Sequence, residues 1–209
     1  MEALITFIKT IAPEGAEGRL KTLYDRVSGP DGRVDNILMA HSLRPASLEG
    51  HMALYKNVLH HRANVVPKWF LETIGVYVSQ LNKCAYCVDH HFEGLKRLLN
   101  DDQRATQIQQ AIVSALANDV ICDALSAKEL SALNYARQLT LSPSSINSSD
   151  ITTLRGLSWS DGEILEINQV TAYFSYANRT VLGLGVTTEG DILGLSPNNN
   201  ENEEDWGHK

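Results

Sequence analysis

Apolar residues recur along this chain at the three- and four-residue spacing of helices, and runs of strict apolar–polar alternation are scarce. Residues 16–27 set the pattern, with Leu20, Leu23, Tyr24 and Val27 on one face before the break "SGPDG". The same spacing predicts helices over 32–41, 46–61, 67–81, 84–99, 103–117, 127–140, 148–156 and 161–182. Several starts have a local cause. Pro67 suits a first helical position, where its missing N–H costs nothing. Ser126 with Glu129, and Ser160 with Glu163, have the spacing of reciprocal capping boxes. The expected fold class is therefore all-α, a compact multi-helix bundle.

Length and composition fit one helical domain over residues 1–195, followed by a polar acidic tail over 196–209. At 209 residues and 43% hydrophobic content the chain can bury one substantial core. "LSPSSINSSD" is short enough to be a loop within it, and the tail "SPNNNENEEDWGHK" is expected to be solvated, with Trp206 alone suited to docking on a neighbour. Shifting the chain by 91 residues lays "ETIGVYVSQLNKCAYC" over "EILEINQVTAYFSYAN", so an internal duplication is a second expectation. It would pair a redox-active half at about 30–120 with a cysteine-free pseudo-repeat at about 126–190. A net charge of −7 without a basic stripe argues against nucleic acid or anionic membrane as partner. The N-terminal "MEALITFIKTIAPEG" lacks a basic leader and a cleavage site, and no segment has the apolar length of a membrane span, so a cytoplasmic protein is expected. Three cysteines in a reducing compartment do not make a disulfide framework; a C-x-x-C there is redox-active or metal-binding.

The chemistry concentrates in "ETIGVYVSQLNKCAYCVDHHFEG", residues 72–94. In one straight helix Glu72 and Cys84 would lie about 18 Å apart, so a shared site requires the chain to turn between them. Asn82 and Lys83 supply the turn, and a second helix starting near Cys84 would fold back to bring His91 toward Glu72. Cys84, Cys87 and His91 then share one face, with the thiols at the helix N-terminus, where the macrodipole favours a thiolate. Glu72 sits in an uncharged apolar run; burial there favours the neutral carboxyl and suits it to proton transfer, whereas the competing reading puts it on an exposed stripe. His90 points about 100° from His91 and reads as a bystander. Cys122 has no polar partner in sequence and reads as a small buried hydrophobe.

The pattern of Glu72, Cys84, Cys87 and His91 resembles the signature of the alkylhydroperoxidase D-like proteins of the carboxymuconolactone decarboxylase superfamily, nearest to their peroxidase-related branch. The resemblance runs from "GRVDNILMAHSLRPASLEGHMALYKNVLHH" to "AYFSYANRTVLGLGV". It implies an all-helical, oligomeric enzyme without metal or cofactor. In such an enzyme two cysteines reduce an organic hydroperoxide and close to a disulfide, a Glu and a His relay protons, and an external dithiol resets the pair. One departure stands out: some members carry His just before the second cysteine, where this chain has Tyr86. Cys84 is nearer the helix end and Cys87 one turn from His91, so the order of attack stays open. Two other readings compete. Cys84, Cys87 and His91 could ligate zinc with Glu72 or water as the fourth ligand, and a non-redox relative would be a decarboxylase or a helical binding protein.

Overall fold

The computed structural model describes residues 5–116, 124–197 and 205–208, and the described residues are helical with a single isolated bridge, Pro197 to His208. The elements are α1 (Gly18–Val27), α2 (Asn36–Met39), α3 (Pro45–Leu59), α4 (Lys68–Leu81), α5 (Ala85–Leu99), α6 (Asp102–Leu116), α7 (Ala127–Leu141), α8 (Ser148–Gly156) and α9 (Asp161–Leu184). The spacing of apolar residues anticipates each of them to within a few residues. The largest difference is α2, a single turn, because the chain still follows the loop at Gly32, which has a positive φ, until Asp35. Pro67 caps α4 in extended conformation instead of opening it. Both expected capping boxes form, and a third, Asn147 with Asp150, opens α8. Cys122 lies outside the described residues.

α4 is the centre of the molecule. Residues 70 to 79 are all buried, the mark of a helix surrounded on every side. It packs against α5, α7 and α9 as well as α3 and α6. Its contact with α9 is close because residue 75 is glycine: a Cβ there would stand 2.2 Å from the Phe174 ring. The core continues through Leu48, Met52 and Leu59 of α3, Leu133 and Ala136 of α7, and Ile167, Val170 and Phe174 of α9. No helix among the described residues is long and apolar enough to cross a membrane.

Two expectations meet a different arrangement. The 91-residue offset lays Asn82 and Lys83 over Tyr173 and Phe174, which lie inside the unbroken helix α9, so the α4–α5 turn has no counterpart there. The end of the tail is not solvated. Trp206 and His208 are only 6% and 5% exposed, with the Arg26 guanidinium 3.9 Å over the indole and the Lys56 ammonium donating to the Asp205 carbonyl at 2.6 Å. The acidic composition predicts solvation, but one indole and one imidazole bury enough apolar surface to seat four residues.

Candidate active site

Helices α4 and α5 form an antiparallel hairpin closed by Asn82 and Lys83. Asn82 is still αR, Lys83 adopts φ 57° in the left-handed region, and Cys84 takes the N-cap of α5. The Asn82 amide donates to Asn178 Oδ1 at 2.9 Å, which ties the turn to α9. The hairpin brings Glu72 to His91, whose Nδ1 lies 2.7 Å from Glu72 Oε2. Glu72 is 2% exposed, so the exposed-stripe reading fails. A proton on Nδ1 donated to the carboxylate leaves Nε2 as the nitrogen that can exchange protons with a bound molecule. The ring is fixed edge-on against Phe174, 4.6 Å between centroids.

Both cysteines are free and buried, but they face different surroundings. Cys84 has no exposed surface and does not line the cavity described next; it shares a small apolar cluster with Cys87, Ala40, Val181 and Val186. Cys87 lines a cavity of about 40 Å³ together with Glu72, His91 and Tyr55. The hydrogen bond from the Cys87 thiol lowers the pKa of Cys84, with smaller help from the Cys87 backbone N–H and the Asn178 amide. That same bond, with burial, pushes Cys87 well above the ordinary thiol value. The pair thus gives up its first proton readily and holds the second.

Several residues that the sequence did not single out complete the site. Asn178, fully buried, donates to Ser79 Oγ at 3.0 Å and accepts from Asn82, so its amide is fixed beside the sulfurs. His90 is no bystander. It is 8% exposed and lines the same cavity, its Nε2 3.1 Å from Asp191 Oδ2 and its ring stacked on Tyr86 at 4.5 Å. Counted from Cys87, His90 is i+3 and His91 is i+4, and both positions neighbour residue i on a helix. "C-V-D-H-H" carried that signal. The Tyr86 hydroxyl donates to Asp191 at 2.7 Å, so the departure from the family pattern is tied into the same network. Asp35 and His208 stand across the cavity, 3.8 Å apart, and burial raises the pKa of Asp35. Behind Glu72 lies His60, fully buried and 3.9 Å from Oε1. Neither of its ring nitrogens has a hydrogen-bond partner, and burial pushes its pKa well below the ordinary histidine value.

Zinc binding finds little support in this geometry. Glu72 is committed to His91, and among the described residues no group of three or more His, Cys, Asp or Glu is arranged to hold a metal ion.

The fold has parallels among solved structures. One is an alkylhydroperoxidase AhpD core, an uncharacterized peroxidase-related protein from Ralstonia eutropha JMP134. It is 21% identical with a TM-score of 0.75, the match covering 90% of this chain and 95% of that one. The chain has the alkylhydroperoxidase D fold. A second chain with this likeness is an uncharacterized peroxidase-related protein from Silicibacter sp. TM1040, at 24% identity and a TM-score of 0.65, over 77% of this chain and 79% of that one. The debrominase Bmp8, solved as a cysteine-to-alanine variant with 2,3,4-tribromopyrrole, shares the fold at 17% identity and a TM-score of 0.63, over 91% and 94%. No family model and no curated protein sequence matches the chain.

Proposed function

We propose that the chain is a thiol-dependent peroxidase that reduces small hydroperoxides through a Cys84–Cys87 dithiol–disulfide cycle, with Glu72 and His91 as proton relay and an external dithiol as reductant. The observation that carries this reading is Cys87 opening into a cavity beside His91, itself hydrogen-bonded to the buried Glu72. Cys87 is the sulfur a peroxide meets, since it lines the cavity and Cys84 does not. His91 takes the Cys87 proton, and the thiolate attacks the terminal peroxide oxygen. The O–O bond breaks, leaving Cys87 sulfenic acid and an alkoxide that is protonated to the alcohol. Cys84, the readier thiolate, then attacks the Cys87 sulfur, and the S–O bond breaks with hydroxide leaving as water on the His91 proton. Access supports Cys87 attacking first and Cys84 resolving, the order that the sequence leaves open.

Cavity size favours small substrates. A water needs roughly 10–15 Å³ of such space, so about 40 Å³ accepts hydrogen peroxide or the peroxy end of a short alkyl hydroperoxide. A tribrominated pyrrole would have to displace the walls, which argues against the debrominase chemistry of Bmp8. Self-association belongs to the same reading, on a changed basis. α4 is covered within the chain, and the apolar residues left outward include Leu165, Tyr176 and Leu182 on α9 alongside others such as Phe7, Val65 and Val113.

The test is thiol titration before and after one equivalent of ethyl hydroperoxide, followed by peptide mapping. Two thiols should disappear and a Cys84–Cys87 bridge should form, with Cys122 free. A bridge through Cys122, or no loss of thiols, refutes the reading.

A further inference from the structure

The peroxidase cycle moves two protons from sulfur to oxygen, one to the alcohol and one to water, and a single His–carboxylate pair must otherwise serve both. A second such pair presents its histidine to the cavity. His90, one residue before His91, meets Asp191 from the segment after α9, and the carboxylate is held by the Asn36 N–H at 3.0 Å and the Tyr86 hydroxyl at 2.7 Å. Asp191 and the stacked Tyr86 ring fix the His90 imidazole at the cavity wall. His90 and His91 are the i+3 and i+4 neighbours of Cys87, and all three line the cavity.

We propose that His90, oriented by Asp191, is the general acid that protonates the leaving oxygen of the hydroperoxide, while His91 with Glu72 handles the thiol proton. The inference rests on the peroxidase reading and divides its labour between two pairs. As the Cys87 thiolate bonds to the terminal oxygen, the O–O electron pair passes to the alkoxide, which takes the His90 proton. His91 keeps the Cys87 proton for the hydroxide expelled when Cys84 closes the disulfide. When a dithiol reductant reopens the bridge, one of its two protons returns to Cys87, and the other, not retained by the Cys84 thiolate, restores His90.

A general acid matters only where the leaving group is basic. Ethyl hydroperoxide expels ethoxide, which needs a proton; peracetic acid, nearly the same size, expels acetate, which does not. Single-turnover thiol oxidation of His90→Gln and Asp191→Asn with the two oxidants, without reductant, separates the possibilities. For His90→Gln the rate with ethyl hydroperoxide should fall by roughly 10²- to 10⁴-fold, while the rate with peracetic acid changes by no more than about threefold. Asp191→Asn should show the same selectivity more weakly, and it carries the comparison if His90→Gln does not fold. Equal losses with both oxidants would reduce His90 to a structural role and overturn the inference, as would no loss with either. Failure of both oxidants to close the bridge in the unmodified protein would instead overturn the peroxidase reading, and the inference with it.

Discussion

Glu72→Gln tests whether the buried carboxylate drives the chemistry or merely packs. Glutamine keeps the size and an oxygen to accept from His91 Nδ1, now 2.7 Å from the carboxylate, but removes the charge facing the imidazolium. With charge centres about 4 Å apart and an effective dielectric near 20, that charge is worth about 4 kcal/mol to a full imidazolium. Neither side chain is exposed enough for solvent to screen much of this, at 14% for His91 and 3% for Glu72. A transition state with the proton half transferred would lose about 2 kcal/mol. At 1.36 kcal/mol per tenfold, single-turnover peroxide reduction should slow by ~30-fold, and by up to ~1,000-fold if transfer is complete. Stability should change little. The lost charge-assisted hydrogen bond is offset by relief of carboxylate burial, and the new amide can donate to the unpartnered His60 behind it. The assay is stopped-flow oxidation by ethyl hydroperoxide alongside the pH dependence of thiol alkylation. Superimposable rates and alkylation curves for the two proteins would show that Glu72 takes no part, leaving the helix end and Asn178 to activate the thiols.

Three further outcomes follow from the same structure. Asn178→Ala removes a donor from the sulfurs and leaves Asn82 and Ser79 short of a partner, so alkylation at neutral pH should slow, the Cys84 pKa should rise, and denaturant titration should show a loss of about 1–3 kcal/mol. Gly75→Ala gains helix propensity of about 1 kcal/mol. It also drives a Cβ into the Phe174 ring that braces His91, so the net should be a loss of about 1–2 kcal/mol in denaturant titration, with slower peroxide reduction. Acid should destabilise the fold through buried neutral histidines. Burial lowers His51 to about 3 and His60 well below the ordinary value of 6.5, so between those limits the unfolded chain binds protons that the native state does not. Stability from these two is therefore complete above pH 6.5 and is lost as pH falls below it. The loss is about 1.4 kcal/mol per histidine by pH 5.5, measurable as a shift in urea midpoint that the double variant His51→Phe, His60→Phe should reduce but not abolish, since burial also lowers His41 and His208.

The helices were legible because their causes are local. Leu20, Leu23, Tyr24 and Val27 at helical spacing, and the boxes at Ser126 and Ser160, act within a few residues of themselves. The α4–α5 hairpin was legible for the same reason: Asn82 and Lys83 mark a turn, and an antiparallel hairpin brings Glu72 opposite His91 whatever surrounds it. The tail was misjudged because composition averages over residues, whereas docking is decided by the few that find a surface, here Trp206 on Arg26 and His208 on the Val27 carbonyl at 2.9 Å.

By itself, then, the sequence determined the helical class, the turn, and a thiol pair with a Glu–His hydrogen bond on one hairpin, since these depend on neighbours one to nineteen positions apart along one or two helices. Only the tertiary structure decided which sulfur meets the cavity: both are buried, and Cys87 lines it while Cys84 does not. It also decided the partners of His90 and of the sulfurs, because Asp191 and Asn178 arrive from segments about a hundred positions away. Their polar side chains carry no periodic signal of their own. They acquire a role from the low-dielectric pocket that packing builds around them, where a fixed amide or carboxylate acts far more strongly than it would in water.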